Sequence, residues 1–311
     1  MKKFMKGITA LILLLQYFSL AAEISVFFSP SDKIDRIIIK KLQQAKRSVY
    51  IASYTFNWKQ GYDILEKLSK SGKDVKILLN FLPYQNFNVT ENLQVKKWGK
   101  KSCALHSKFM VIDEKYVFVG SANFTESSMK WDSNNILLIN DQTTARFFAE
   151  NFLSLWSNSI ISKGQLLIND SIEIYFSPVS DCVSIVKNEI KKAKESLKFV
   201  MFTFTSDEIG GEICRSGIKG IKVYGIFEGS QNPFSNEYNV MKKIDLLKVK
   251  KDCFVNIIHD KFLIIDQDTA ITGSFNYTEA AKKNIETLIV IKRQDIVSRF
   301  LKRWRFLWLW Y

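Results

Sequence analysis

The chain has 311 residues, 47% hydrophobic and 24% charged, and carries a formal net charge of +14. That length allows two ordinary domains and that balance is a globular one; beyond the first 22 residues no stretch reaches the ~20 apolar residues that a spanning helix needs. So basic a surface attracts polyanions, either nucleic acid or an anionic membrane, without saying which.

Residues 1–22 place Lys2, Lys3 and Lys6 before an apolar run broken only by Thr9, Gln16 and Ser19, with small residues at Ser19, Ala21 and Ala22. This is the pattern of a secretory signal peptide, with an uncleaved N-terminal anchor as the alternative. Either way a periplasmic or secreted location is expected. Removing the three lysines lowers the net charge from +14 to +11, still strongly basic.

The rest of the chain repeats itself. Residues 24–55 (ISVFFSPSDKIDRIIIKKLQQAKRSVYIASYT) match residues 172–203 (IEIYFSPVSDCVSIVKNEIKKAKESLKFVMFT): a strand, a Phe-Ser-Pro turn, an amphipathic helix and an apolar strand. Helical patterns at 61–71 and 208–216 precede buried strands at 74–80 and 221–227. A second block repeats as HSKFMVIDEKYVFVGSANFTES from His106 and HDKFLIIDQDTAITGSFNYTEA from His259. Each half closes with a strand, at 136–139 and 288–291, and a terminal helix rich in Phe and Trp. Strands alternating with helices predict an α/β fold: two similar domains, 23–161 and 162–311, joined near 162–170 and packed about a pseudo-twofold axis.

Cys103, Cys182, Cys214 and Cys253 lack zinc-site spacing. An oxidising compartment permits disulfides, and Cys103 and Cys253 occupy similar places in the two repeats. They are the expected pair, with buried thiols as the alternative.

The chain's only two histidines, His106 and His259, stand at the same place in the repeated block. A lone histidine is more often structural, but each of these is followed by the same Lys, Asp, Gly, Ser and Asn at the same offsets. Strand alternation puts His106 with Lys108, Ser121 with Asn123, His259 with Lys261, and Ser274 with Asn276 on shared faces. Gly120 and Gly273 leave room for a backbone or ligand. Imidazole, ammonium, hydroxyl and amide without an acidic set suit a phosphate better than a metal, so no cofactor is expected. Asp113 and Asp266, of opposite parity and at turns, read as supporting residues.

The pattern His-x-Lys-x4-Asp-x6-Gly-Ser-x-Asn, twice in one chain, resembles the phospholipase D superfamily, nearest its bacterial nuclease-like and cardiolipin-hydrolase-like branch. The resemblance implies two phospholipase D-like α/β sandwich halves with one active site at their interface. It also implies a two-step displacement through a phosphohistidine: one histidine attacks and the other serves as acid, then base. Lys108, Lys261, Asn123 and Asn276 would hold the phosphate oxygens, supported by Ser121 and Ser274. In this family a carboxylate downstream of the Asn orients a histidine; Glu286 fits that place, and its first-half counterpart reads as Asn135, beside Asn134. The two histidines are therefore expected to be non-equivalent.

The substrate is less determined. Nucleic acid is the favoured partner, because the basic clusters 96–101 (KKWGKK) and 248–251 (KVKK), with Trp98, Phe87 and Tyr84, would track a backbone and stack bases. An extracytoplasmic endonuclease, monomeric as an intramolecular pseudo-dimer, is the first reading. The alternative is a phospholipase D or phosphatidyltransferase on anionic phospholipid, with peripheral membrane contact through the aromatic C-terminal helix. There Phe300, Leu301, Trp304, Leu307 and Trp308 read as core, while Phe306 and Trp310 fall off that face. A decayed, polyanion-binding relative is the third reading, opposed by the completeness of both motifs.

Overall fold

A computed structural model describes residues 22–81, 92–100, 102–231, 236–253 and 256–310. Residues 1–21 of the signal-like segment, Tyr84, Phe87 and Lys101 lie outside the described residues.

The first half runs β1 (Glu23–Ser29), α1 (Ile34–Leu42), β2 (Ser48–Ser53), α2 (Lys59–Lys70), β3 (Asp74–Asn80), β4 (Gln94–Lys100), β5 (Cys103–Ala104), β6 (Phe109–Ile112), β7 (Tyr116–Gly120), α3 (Glu126–Lys130), β8 (Asn134–Asn140) and α4 (Gln142–Trp156). The second runs β9 (Gln165–Ile168), β10 (Ile172–Ser177), α5 (Cys182–Ile190), β11 (Ser196–Met201), α6 (Asp207–Ile218), β12 (Lys222–Phe227), α7 (Asn236–Lys242), β13 (Leu247–Lys251), β14 (Lys261–Ile265), β15 (Thr269–Gly273), β16 (Glu286–Ile291) and α8 (Gln294–Trp310).

Two eight-stranded sheets result, ordered β1-β8-β7-β6-β2-β3-β4-β5 and β13-β12-β11-β14-β15-β16-β10-β9. Reversing the second gives the order of the first for seven strands, so the internal repeat is a topological one. The eighth strand differs. The first sheet ends in β5, whereas the second ends in β9, which the junction segment contributes by pairing with β10. In both sheets two βαβ units make the pairs β2–β3 and β11–β12 parallel, and the strands carrying the motifs are antiparallel. This is the α/β class read from the sequence.

Strands β6, β7, β14 and β15 are buried nearly end to end because both sheet faces are covered. The helices α1 and α2 cover the outer face of the first sheet, through Ile34, Ile38 and Leu65 against Val49, Ile51 and Met110. The helices α5 and α6 do the same for the second. Between the sheets lies a core shared by both halves, in which Phe148 and Phe152 of α4 and Phe300 and Trp304 of α8 meet Phe109, Phe176 and Phe262. Burying these seven aromatic side chains contributes on the order of 10 kcal/mol or more before conformational entropy is counted, so the halves are joined by a core rather than a linker.

The structure places the basic runs in the sheets and corrects the disulfide expectation. The basic runs read as a nucleic-acid track belong to the strands β4 and β13, at or next to sheet edges, where lysine suits a strand that must not pair further. Lys96 Nζ donates to the Trp156 carbonyl (3.1 Å) and Lys250 Nζ to that of Trp308 (3.2 Å), each ammonium lying over the same indole. These lysines close the C-terminal ends of α4 and α8, where a cation satisfies orphaned carbonyls. Trp98, half-buried, packs against the shared core. Finally, Cys103, Cys182, Cys214 and Cys253 are all thiols, and the Cys103–Cys253 disulfide is not formed.

Candidate active site

Asp113 and Asp266 show how the motif strands are set in place. Both adopt left-handed backbone (φ 57°) at the far end of β6 and β14 from the histidines. Asp113 accepts the backbone N–H groups of Lys46 (2.8 Å), Arg47 (2.7 Å) and Ser48 (3.0 Å). Asp266 accepts those of Lys194 (2.9 Å), Glu195 (2.7 Å) and Ser196 (2.9 Å). Each carboxylate pins the start of the neighbouring strand, β2 or β11, and neither joins the histidine cluster. Asp113→Ala and Asp266→Ala should each cost about 1–3 kcal/mol in chemical denaturation while kcat stays within about twofold. A large loss of kcat without destabilisation would place them in the chemistry instead.

The glycines serve backbone, not ligand. A Cβ on Gly120 would lie 2.2 Å from the Asn135 carbonyl oxygen, and one on Gly273 2.1 Å from that of Thr287. Only glycine lets β8 and β16 close on β7 and β15 there. After Asn123 and Asn276 the chain turns at Phe124 and Tyr277. Their carbonyls accept the N–H of Asn57 (3.1 Å) and Thr205 (2.7 Å) in the loops that follow β2 and β11. Those loops carry Tyr54 and Phe202, whose rings stand 5.1 Å from His106 and 4.6 Å from His259.

The two motifs meet across the pseudo-twofold axis, stitched by backbone. His106 N–H donates to the Ile285 carbonyl (2.9 Å), and His259 N–H to that of Ser133 (2.8 Å). Each half then orients the other half's histidine. His106 Nδ1 donates to Glu286 Oε2 (2.8 Å), and His259 Nδ1 to Asn134 Oδ1 (2.9 Å). The amide of Asn134 is oriented by its Nδ2, which faces the carbonyls of Ser128 and Asp132. With an acceptor on Nδ1, the tautomer assigned to each ring leaves Nε2 for the substrate. Ser274 Oγ donates to Glu286 (2.6 Å) and Ser121 Oγ to Asn134 (3.1 Å), which is how the serines support the site.

The counterpart of Glu286 is therefore Asn134, not Asn135. Strand register agrees: Ser29 pairs with Asn134, as Ser177 pairs with Glu286. Asn135 instead belongs to a buried network the sequence did not reveal. Its Nδ2 donates to Asp260 Oδ1 (2.7 Å) and its Oδ1 accepts from Thr272 (2.7 Å). Ser133 Oγ donates to Asp260 Oδ2 (2.6 Å), and Arg303 Nη2 donates to Ser133 Oγ (2.6 Å). At the equivalent place in the first half, Ser107 bonds Thr287. One signal was available: Asp260, charged on an otherwise apolar run, had to find a partner.

Electrostatically the cluster is short of anions. Lys108 and Lys261 are 1% and 2% exposed, and each Nζ donates to its own histidine's carbonyl. Burial pushes Lys108 down to about 7 against the pull of Glu286. Burial, then repulsion from Lys108, takes Lys261 well below its ordinary value. Burial lowers both imidazoles. Glu286 opposes the shift at His106, whereas Lys261, Lys108 and His106 deepen it at His259. Asn123 Oδ1 and Asn276 Oδ1 are buried with no hydrogen-bond partner among the described residues. Two lysines and two Nε2 atoms form a cradle for an anion with acceptor oxygens, to which the asparagines can add only their Nδ2 donors.

The sign of the lysine shift is testable. Unfolded Lys108 holds its proton to about 10.4, so between about 7 and 10.4 the unfolded chain binds more protons. Stability should rise with pH through that window by at most about 1.4 kcal/mol per pH unit from this residue, and fall as pH drops through about 7. Lys108→Met should flatten that part of the pH profile of the urea midpoint.

A two-sheet α/β fold with one buried site shared by duplicated His-Lys-Asn motifs defines a phosphodiesterase class. The cardiolipin synthase, PLD-like domain family matches residues 38–156 and 186–310, one match in each half, and the chain belongs to this phospholipase D-like family. It is 32% identical over 142 residues to a Rickettsia conorii phospholipase D, covering 44% of this chain and 70% of that one. It is 26% identical over 118 residues to a mouse mitochondrial cardiolipin hydrolase, covering 37% and 53%. The crystal structure of a Haemophilus influenzae phosphatidylserine synthase shares the fold, with a TM-score of 0.73 over 90% of this chain and 84% of that one at 13% identity. The protein is a phosphodiester-hydrolysing enzyme.

Proposed function

We propose that the enzyme hydrolyses phosphodiesters in two steps, with His106 as nucleophile and His259 as acid and then base, outside the cytoplasm and on membrane phospholipid. The observation that carries the division of roles is the carboxylate on one histidine and the amide on the other. Glu286 raises the basicity of His106 and stabilises the cation formed when Nε2 is phosphorylated; Asn134 does neither for His259, whose proton is given up more readily.

In the first step the His106 Nε2 lone pair forms an N–P bond as the ester P–O bond breaks, and His259 Nε2–H protonates the departing oxygen. The substrate's negative charge offsets the repulsion that lowers His259, so the proton is present when it is needed. In the second step His259 takes a proton from water, whose oxygen bonds phosphorus as the N–P bond breaks, giving a monoester and free His106. Lys108, Lys261, Asn123 and Asn276 hold the non-bridging oxygens throughout.

Phospholipid rather than nucleic acid is supported by two things. Lys96 and Lys250, from the clusters that favoured a nucleic-acid track, cap helices, and Trp98 leans half-buried against the core. Relatives of the chain carry the names phospholipase D and cardiolipin hydrolase. An endonuclease is the second reading, resting on the net charge of +14. Extracytoplasmic action rests on the signal-like residues 1–22. Wild type and His106→Ala, assayed with chelator present on phosphatidylcholine and phosphatidylglycerol vesicles, single-stranded DNA and RNA, separate these readings. Lipid cleavage lost in the variant is expected; nucleic-acid cleavage without lipid cleavage would replace the substrate assignment.

A further inference from the structure

The exposed side of α8 does not resemble an ordinary solvated face. Arg299, Lys302, Phe306, Leu309 and Trp310 form one stripe along it, opposite the buried Phe300, Leu301, Trp304 and Leu307. Phe306 is 49% exposed, Leu309 84% and Trp310 61%. Trp131, from the turn after α3, is 55% exposed and lines a groove of about 200 Å³ with Phe306 and Trp310. Ile257, 41% exposed, adds an aliphatic side chain next to the groove residue Ile258. A second groove, of about 390 Å³, shares Phe306 and carries Arg299 and Lys302. So many large apolar groups, rimmed by cations, mark a contact surface.

The surface is joined to the site. Ser133 and Ile258 line the smaller groove, and the next residues in the chain are Asn134 and His259. Arg303 of α8 donates to Ser133 Oγ, and the Ser133 carbonyl holds the His259 N–H.

We infer that this face, formed by the end of α8 with Trp131 and Ile257, docks on an anionic lipid bilayer. The inference rests on the phospholipid reading above and adds to it where the membrane meets the protein. Tryptophan and phenylalanine interleaved with arginine and lysine fit the boundary between headgroups and acyl chains. Of the stripe's cations, Arg299 pairs with Asp32 (2.8 Å) and Lys302 forms no ion pair among the described residues, which leaves Lys302 to answer an anionic headgroup. Leu309 and Ile257 decide against a nucleic-acid platform, because an aliphatic side chain has no ring face for a base to stack on.

Of the seven tryptophans, Trp131 and Trp310 are the two well exposed among the described residues, so their emission reports the contact. The full chain and a Phe306→Ser/Leu309→Ser variant are mixed with phosphatidylcholine vesicles containing brominated phosphatidylglycerol, which quenches tryptophan at the bilayer. Wild type should be quenched and the variant should lose at least two thirds of that quenching, with hydrolysis of the soluble bis-p-nitrophenyl phosphate unchanged within about twofold. The N-terminal segment is common to both proteins. No quenching of wild type, or equal quenching of the variant, overturns the docking face. Quenching by single-stranded DNA but not by brominated lipid overturns it in favour of a nucleic-acid platform. Vesicle lipid cleaved without quenching sinks the docking face alone; quenching with no lipid cleaved leaves docking standing and sinks the phospholipid reading.

Discussion

Alkali-quenched turnover of a p-nitrophenyl phosphodiester by His259→Ala will yield protein phosphorylated on the peptide containing His106. The expectation follows from separating the two steps. Nitrophenolate leaves without a proton, so the first step loses little when the acid is removed, about tenfold. The second step needs a base to take a proton from water, and its loss costs about 10²–10⁴. The intermediate therefore accumulates, and steady-state kcat falls by the larger factor. His106→Ala, lacking the nucleophile, should lose about 10⁴-fold or more and show no label. Label on the His259 peptide of wild type, or equal label on both, would overturn the assignment that Glu286 and Asn134 support. Peptide mapping by mass spectrometry under alkaline conditions, where phosphohistidine survives, reads the outcome directly.

Much of this was legible in the sequence, and what was not has definite causes. The strands β6, β7, β14 and β15 were readable because continuous apolar runs ended at turn residues, and α1 and α5 because each follows a Phe-Ser-Pro turn in the same register. The pairing of His106 with Glu286 was not readable, since 180 residues separate them and only the packing of two halves brings them together. Asn134 was missed for a smaller reason. Gly120 pairs with Ile136 but Gly273 pairs with Leu288, so the connection is one residue shorter in the second half; a count from the glycine lands on Ser133, and only the strand register picks Asn134 over its neighbour Asn135. Strands β4 and β13 were hidden because lysine-rich runs carry no strand pattern; their cross-strand partners, not their composition, make them strands. The Arg303–Ser133–Asp260–Asn135 network escaped because it draws on both halves and on α8.

The asymmetry at the axis makes the second large effect. Glu286→Gln should lower kcat by about 10²–10⁴ while KM moves by less than about threefold. The variant keeps an acceptor for the His106 Nδ1 proton and for Ser274, so geometry and substrate contacts survive. What is lost is a negative charge 2.8 Å from the ring that becomes cationic when phosphorylated. Burial already lowers the His106 pKa and Glu286 opposes it, so the variant's imidazole becomes a still weaker base. Asn134→Asp makes the reciprocal change at His259, where no carboxylate now opposes burial and the neighbouring lysines. Its imidazolium should persist to higher pH, moving the alkaline limb of the kcat/KM profile up by about one unit. In the double variant each histidine has exchanged the charge of its partner. Phosphoenzyme label should then shift toward the His259 peptide, at an overall rate far below wild type. If label stays wholly on His106, the carboxylate does not choose the nucleophile. The choice would then lie in the surroundings the exchange leaves untouched, Tyr54 beside one ring and Phe202 beside the other.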